Sequence, residues 1–320
     1  MPARAIRRLA ILATGAFLAL LPAARAETLH VAKASPNSIS MVPVDIALAE
    51  GMFKKHGLDV EMVSFEGPAK MHQGMTAGSI DIGVGAGPEF EFLVKGSPEI
   101  AIAQMGDAPL FLGMIVPYDS PAKSADDLKG KRIGISSAGS VTEWMTLELA
   151  RVKGWGPDGI KTVALGGSFS GKIAAMRTGQ VDGLLISCAV GFQLEKQKQG
   201  RLLIPVSDYV KDFISTSVFA SNQAAEKRGP DLTRFLAAWI EAVDFMHQHR
   251  SEAVEYARKV TGYDRDIEER EFDLVLPMFS TTGKFSKAGL AVIARSFPPE
   301  VQEMHPDMAK LYTEKFLPKK

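Results

Sequence analysis

The chain has 320 residues, 46% of them apolar, which is typical of a globular protein with a full hydrophobic core. Its 37 basic and 37 acidic side chains cancel, and without residues 1–26 they become 33 and 37, a net charge near −4. A nucleic-acid partner is therefore not expected, because such proteins present a basic surface to the phosphates.

The first 26 residues predict an export signal. Three arginines precede an apolar run from Leu9 to Leu21, which is too short to span a bilayer as a stable helix. The small-x-small pattern of a signal-peptide cleavage site follows at 24–26. A membrane anchor is the alternative, but no Cys follows that could carry a lipid. We expect an exported mature chain that begins near Glu27.

From Leu29 onward, short apolar strands alternate with helices, which predicts βαβ units and a mainly parallel sheet. Strands are predicted at 29–34, 58–65 and 80–84, and helices begin near Pro43, Pro68 and Pro88. The apolar segment Leu110–Val116 predicts a strand that leaves this group, and Pro117 and Pro121 punctuate the linker after it.

The same plan then repeats. Strands are predicted at 132–136, 160–165 and 181–187, with helices at 141–153 and 171–178. Met75–Asp81 returns as Met176–Asp182, 101 positions later, and each copy combines a helix end, a Gly stop and a strand that opens on Asp. Three elements in register predict two similar α/β lobes, and a cleft between two lobes is where a small ligand would bind.

Val218–Ser221 predicts a return strand to the first lobe, so the chain would cross between the lobes twice and form a hinge. We expect a first lobe of residues 27–116 plus 218–320 and a second lobe of residues 117–217. Further helices are predicted from Gly229 and at 251–260, 266–278, 286–295 and 300–316. The charged run Glu268–Glu271 is interpreted as a solvated helix face.

In an open parallel sheet, ligands bind outside the carboxyl ends of the strands. Six loops follow such ends, at 35–42, 65–70, 84–89, 136–142, 166–171 and 187–191. They are rich in Ser, Gly, Asn, Thr and Pro, and the N–H groups at helix starts can hold an anion without arginine. Helix capping is an equal alternative, since Ser140 and Glu143 fit a capping box in which the Glu143 carboxylate reaches the Ser140 amide.

Three further side chains near these loops are candidate ligand contacts, each with a structural alternative. Trp144 could stack on a ligand ring, although packing in the core is the commoner role. Lys70 could meet an anion or remain solvated. Glu89 could bind a ligand amine or stabilise the start of its own helix.

Catalytic and metal-binding patterns are weak. Gly166–Lys172 fits G-x-x-x-x-G-K, but Ile173 stands where a P-loop needs Ser or Thr for magnesium, so ATP hydrolysis is not expected. The loop can still bind an anion. The six histidines are scattered. The single cysteine, Cys188, is expected at the end of an apolar strand, as a buried and unreactive thiol. We expect no metal, no cofactor and no enzymatic activity.

The segment Pro43–Val60, with its pattern A-x-x-x-G-x-F-x-x-x-G-L-x-V, resembles the nitrate/sulfonate/taurine-type periplasmic binding proteins of ABC importers. Ala77–Ile82 and Asp127–Ile135 are similar to other phrases of that family, and the likeness covers roughly residues 28–222. It implies an α/β, type II periplasmic-binding fold, in which two lobes joined by a two-strand hinge close on a ligand. It also implies a periplasmic receptor that delivers a small solute to a membrane permease.

Carried over by position, the resemblance implies ligand contacts in the six loops and one just before the return strand. These are Asn37, Ser38, Ser40, Met41, Gly87, Gly139, Ser140, Ser170, Ser187 and Thr216. Apart from Lys33 and Lys70 the loops lack an obvious cation, which disfavours a strongly anionic ligand such as sulfate or nitrate. A neutral, aromatic or heterocyclic ligand and a monoanion held by helix ends, such as a sulfonate or a carboxylate, are equally open. A monomer is the default expectation for this class.

An enzyme on the same scaffold is the alternative function. The family resembles the pyrimidine-precursor synthase of thiamin biosynthesis, which is cytoplasmic and carries a Cys-rich motif. This chain has an export signal and one cysteine, so the receptor is the preferred hypothesis.

Overall fold

The computed structural model describes residues 28–166 and 168–319. The predicted export signal at 1–26 lies outside the described residues. Within these ranges the strands form two five-stranded sheets. The strands are β1 (Leu29–Lys33), β2 (Val60–Ser64), β3 (Ile82–Gly85), β4 (Glu99–Asp107), β5 (Leu112–Pro117), β6 (Arg132–Ile135), β7 (Lys161–Ala164), β8 (Gly183–Ser187), β9 (Gly200–Pro205) and β10 (Ile214–Ser221).

The two sheets share one plan, which confirms the α/β class. Their strand orders are β2-β1-β3-β10-β4 and β7-β6-β8-β5-β9. In each sheet the first three strands are parallel, the fourth is antiparallel to both of its neighbours, and the fifth closes the edge. The one reversed strand in each sheet, β10 or β5, follows a crossing of the chain from the other sheet.

The repeated Asp of the sequence has the same structural task in both sheets. The His30 amide donates to Asp81 Oδ2 at 2.9 Å, and the Arg132 amide donates to Asp182 Oδ2 at 2.8 Å. In each case the carboxylate in front of one strand holds the first residues of the neighbouring parallel strand. The repeat at 75–81 and 176–182 therefore reflects a duplicated strand pair.

Helices cover the sheets and fill the C-terminal third. They are α1 (Val42–Ala49), α2 (Met52–Lys55), α3 (Pro68–Thr76), α4 (Phe90–Val94), α5 (Val141–Val152), α6 (Phe169–Arg177), α7 (Cys188–Lys196), α8 (Asn222–Lys227), α9 (Gly229–Gln248), α10 (Arg250–Thr261), α11 (Arg265–Val275), α12 (Lys287–Ser296) and α13 (Pro299–Gln302). The long helix α9 buries Phe235 and Trp239, and the Phe235 ring stacks on Phe53 with 5.1 Å between centroids. Across the described ranges, we find no helix with both the length and the apolar character needed to cross a bilayer.

Several elements differ from the predictions. The edge strands β4 and β9 were not predicted, and Cys188 begins a helix rather than ending a strand. The helix predicted for 300–316 is wrong beyond the four residues of α13. Pro306 explains this difference, because proline cannot donate the backbone hydrogen bond that a helix interior requires.

The chain crosses between the sheets twice, at 108–111 and at 206–213. Strand β5, which the predicted boundary at 116 assigned to the first lobe, pairs with β8 and β9 in the second sheet. Strand β10 pairs with β3 and β4 in the first sheet. The crossings therefore lie a few residues before the boundaries expected at 116 and 218, and the lobe limits themselves stay a prediction.

Candidate functional site

A cavity of about 610 Å³ lies at the carboxyl ends of the parallel strands of both sheets. Its wall combines the loop after β1, the loop after β6, the end of β8 and the segment that joins α10 to α11. Loops 35–42 and 136–142 thus face one space, as a cleft between two similar lobes requires. The polar residues in the wall are Ser35, Asn37, Ser38, Ser136, Thr142, Lys172, Ser187, Gln193, Thr261, Tyr263 and Glu271.

Lys172 brings a buried positive charge to this cavity. The residue is 4% exposed, and its Nζ donates to Ser136 Oγ at 3.1 Å. The Nζ also lies 5.9 Å from the centroid of the Phe169 ring. Burial lowers the pKa of Lys172, because the ammonium group loses hydration. No carboxylate of the described residues lies within ion-pair distance of the Nζ atom, so an anionic guest would stabilise the charge.

Two helix starts surround this lysine. The Ser168 hydroxyl caps α6 by accepting from the Gly171 amide at 3.3 Å, which places Lys172 in the first turn. At the start of α5, Thr142 Oγ1 accepts from the Ser136 amide at 3.0 Å. Both helix starts carry a positive partial charge, which adds to that of the lysine.

One of the two hydrogen bonds of the capping box predicted at α5 forms as expected, and the other has a different donor. Ser140 Oγ accepts from the Glu143 amide at 3.3 Å, as expected. The Glu143 carboxylate accepts from the Gly139 amide at 2.7 Å rather than from the Ser140 amide. Glu143 also accepts from the Thr162 hydroxyl at 2.9 Å, so its side chain links the helix start to β7.

An acidic side chain, Glu271, lines the same cavity. It is 2% exposed, and its Oε1 accepts from the Ser187 hydroxyl at 3.3 Å. Burial and the neighbouring Glu268 raise the pKa of Glu271 to about 8, so the carboxyl group is mostly protonated at neutral pH. Burial, together with the charge of Glu271, also raises the pKa of Tyr263 to about 12, which keeps that phenol neutral.

Several predicted site residues lie in the cavity wall or directly behind it. Asn37, Ser38 and Ser187 line the cavity. Ser40 is buried behind them, with 2.8 Å between its hydroxyl and that of Ser38. Thr216 Oγ1 donates to the Ser40 carbonyl at 3.2 Å, so it ties the loop to β10. Met41 is also buried, at 4% exposure.

Three other predicted residues belong to the helix starts beside the cavity but not to its wall. Gly139 has a φ of 74°, a conformation that favours glycine, and lies just before the cap of α5. Ser140 is the cap itself. Ser170 is exposed, with 3.0 Å between its hydroxyl and that of Ser168.

Glu89 lies in a buried ionic cluster away from the cavity wall. Its Oε2 is 3.0 Å from His72 Nε2, and Glu99 Oε2 is 2.7 Å from His72 Nδ1. Burial alone would lower the pKa of His72, but the hydrogen bonds and charges of the two glutamates raise it to about 9. Glu89 therefore pairs with an imidazolium, and no ligand amine is needed to explain its burial.

The remaining predicted residues have structural surroundings of their own. Trp144 is partly buried and stacks on Phe213 with 6.2 Å between centroids, which matches its core alternative. Gly87 lies against Ile214, where a Cβ atom would come within 2.5 Å of the carbonyl oxygen. Lys70 is exposed on the first turn of α3.

Lys172, Tyr263 and Glu271 were not predicted as site residues. Lys172 ends the G-x-x-x-x-G-K pattern, which was interpreted as an anion-binding loop without assigning its lysine. The interpretation of 268–271 as a solvated face is wrong for Glu268 and Glu271, which are 0% and 2% exposed. Their spacing of three residues, one helical turn, is the signal that could have found them.

Solved structures with the same fold identify its class. The periplasmic aliphatic sulphonate binding protein SsuA from Escherichia coli superposes with a TM-score of 0.72 at 19% identity, covering 92% of each chain. A Candida albicans protein described as having the generic periplasmic binding protein fold superposes with a TM-score of 0.70 at 17% identity, covering 92% of this chain and 98% of its own. The fold is therefore that of periplasmic binding proteins.

Sequence comparison then places the chain in a family. The NMT1/THI5 like family matches residues 38–253, and the chain belongs to it. A putative thiamine biosynthesis protein of Haemophilus influenzae is 26% identical over 65% of each chain, so this chain spans just under two thirds of that relative. A putative binding protein of Brucella abortus is 27% identical over 71% of this chain and 69% of its own. A Saccharomyces cerevisiae 4-amino-5-hydroxymethyl-2-methylpyrimidine phosphate synthase is 24% identical over 75% and 74%.

Proposed function

We propose that this protein is a periplasmic solute-binding receptor that captures a small organic anion between two lobes and delivers it to an ABC importer. The observation that carries the proposal is Lys172, a buried ammonium group without a carboxylate partner among the described residues, in a cavity between two sheets. A sulfonate or carboxylate oxygen could accept from its Nζ and from the N–H groups at the start of α5 or α6.

The lobes proposed are the two sheets with their helices, divided at the crossings 108–111 and 206–213 rather than at the boundaries 116 and 218 expected from the sequence, and these crossings are the proposed hinge. In such a receptor the ligand does not push the lobes together but stabilises a closed form that is already accessible. The closed form is what a membrane permease would recognise. We propose export through the N-terminal signal, a periplasmic location and a monomeric state.

The enzymes among the relatives make catalysis the second candidate. The yeast relative is named as a synthase, and a desulfurization enzyme, DszB, shares the fold with a TM-score of 0.59 at 16% identity. The geometry favours binding over nucleophilic chemistry at the cysteine. Cys188 is fully buried, and burial followed by the charge of Glu271 raises its pKa to about 12, so its thiolate is scarce at neutral pH.

A melting-temperature screen tests the proposal. The mature protein is melted with sulfonates, carboxylates, nitrate, phosphate, pyrimidines and purines, and each stabilising compound is then assayed for consumption. We expect one anionic class to raise the melting temperature by several degrees, because a ligand at a hundredfold excess over Kd adds about 2.7 kcal/mol. Stabilisation by neutral heterocycles alone would contradict the proposal that the ligand is an anion. Chemical conversion of a stabilising compound would contradict the proposal that the protein is a receptor.

A further inference from the structure

Two buried carboxyl groups project from successive turns of α11. Glu268 is 0% exposed, and its Oε2 accepts from the Thr261 hydroxyl. Glu271 lines the cavity, and its Oε2 has no hydrogen-bond partner among the residues that the structure describes. Glu268 Oε1 is unpartnered in the same sense. Leaving buried polar atoms unpaired costs free energy, so the Glu271 carboxyl group is a candidate for contact with a guest.

The groups that face Glu271 do not supply a positive charge. Among the described residues they are the Ser187 hydroxyl at the end of β8, the neutral Cys188 thiol and the Ala189 amide at the start of α7, the Tyr263 phenol before α11, and Glu268 on its own helix. Lys172, the lysine in the same cavity wall, donates to Ser136 and forms no ion pair with Glu271.

We propose that Glu271 is a specificity-determining residue that binds an amine-type nitrogen of the ligand, while Lys172 binds the anionic end of the same molecule. This inference rests on the proposed function and narrows it. The two ionisable side chains, on different helices, line one cavity of about 610 Å³, which is large enough for a small molecule that carries both groups. An anion without a nitrogen donor would leave Glu271 unpaired and bind more weakly.

Binding of an ammonium group would also move a proton. In the unliganded protein the Glu271 carboxyl group is mostly protonated near neutral pH. An ion pair with a ligand ammonium requires the carboxylate, so the carboxyl proton leaves to the buffer while the ammonium keeps its own proton. Up to one proton is therefore released for each ligand bound near pH 6.5.

Calorimetry with a matched pair of probes tests the proposal. The probes are 3-aminopropanesulfonate and propanesulfonate, titrated at pH 6.5 in two buffers of different ionisation enthalpy. For the wild-type protein we expect the amino compound to bind at least about tenfold more tightly, with proton release. E271Q should lose both the preference and the proton release. E269Q removes a carboxylate from the outer face of the same helix, where Glu269 pairs with Arg265, and should keep both.

The possible results separate this proposal from the receptor function. Equal affinity for the two probes in the wild-type protein, or a preference retained by E271Q, would overturn the role of Glu271 and leave the receptor intact. Absence of proton release from the wild-type protein would also overturn it, and that readout does not depend on whether E271Q folds. Failure of the wild-type protein to bind either sulfonate would overturn this inference, while the melting-temperature screen with carboxylates, nitrate and phosphate would still decide the anion site at Lys172.

Discussion

At the scale of a single residue, replacing Lys172 tests the proposed anion site. In K172M the aliphatic stem is kept and the ammonium group is lost, so affinity for the stabilising anion should fall about 10- to 100-fold. R177M removes a positive charge from the exposed end of the same helix and should leave affinity unchanged. The two variants are compared with the wild-type protein by titration calorimetry. Equal affinities of K172M and the wild-type protein would contradict the anion site.

The buried His72 cluster governs stability rather than binding. Removing the imidazolium in H72A leaves Glu89 and Glu99 buried without a counter-charge, so unfolding should become easier by about 3–5 kcal/mol at pH 7. Because the pKa of His72 is raised in the folded state to about 9, this contribution is complete below pH 6.5 and is lost as pH rises through 9. Urea denaturation at pH 7 and pH 10 measures both effects.

A surface pair provides the control for this experiment. Lys95 pairs with Glu91 at 3.1 Å on an exposed helix face, and K95A should change stability by less than about 0.5 kcal/mol. An H72A variant as stable as K95A at pH 7 would show that the buried cluster contributes nothing.

From the sequence we could predict that Ser-rich loops form the site, but not which lysine in them binds the ligand. Lys33 and Lys172 are both buried, and both lie close to serines in the sequence. The structure pairs Lys33 with Asp45 at 2.7 Å, which neutralises it, while Lys172 meets only a hydroxyl and a ring. The residues that neutralise a charge come from distant parts of the chain, so local pattern cannot tell a structural lysine from a binding one.

At the scale of elements, the equivalent residues Asp81 and Asp182 allow the same prediction to be tested in both sheets. D182A loses hydrogen bonds from the Arg132 amide and guanidinium at 2.8 Å each, and D81A loses the His30 amide at 2.9 Å. Each variant should be less stable by about 1–2 kcal/mol, because a carboxylate that holds a strand start is removed. Urea denaturation measures the loss, with D158A as an exposed control expected within about 0.5 kcal/mol of wild type.

Two results would contradict a shared structural role for Asp81 and Asp182. If D81A and D182A are both as stable as D158A, the duplication is a likeness of sequence without a shared structural task. If only one is affected, the two sheets differ in how their strand starts are held.

Helices and strands with Gly or Pro at their ends could be predicted from the sequence, and those that depend on contacts with distant parts of the chain could not. The strands β1, β3, β6 and β8 and the helices after the first three of them were predicted because Gly and Pro mark many of their ends, but α7, the helix after β8, was not predicted. Strand β4 was missed because both of its faces are covered, so its residues do not alternate between apolar and polar. Residues near its start form a bridge to Tyr312, far along the chain.

At the scale of the whole molecule, ion pairs join α7 of the proposed second lobe to the start of α11. Lys196 lies 3.2 Å from Asp264 and 2.9 Å from Asp266, and Arg270 lies 2.8 Å from Glu195. K196E removes pairs that join the two proposed lobes in this structure, and it should weaken ligand binding by up to about fivefold, since exposed ion pairs contribute little. Titration calorimetry measures the effect.

The control for this prediction is a lysine of the same lobe that makes no such contact. K161E reverses an exposed charge on β7 and should leave affinity unchanged. Equal weakening by K161E and K196E would point to long-range electrostatics rather than to the contact between α7 and α11.

The central claim is that the cavity traps a small anion at Lys172 and releases it unchanged. The most direct measurement mixes equimolar protein with the stabilising anion, separates the complex from free ligand, denatures it and quantifies the released compound by mass spectrometry. We predict one intact molecule per wild-type chain and almost none for K172M. A chemically altered compound, or the same amount bound to K172M, would contradict the claim.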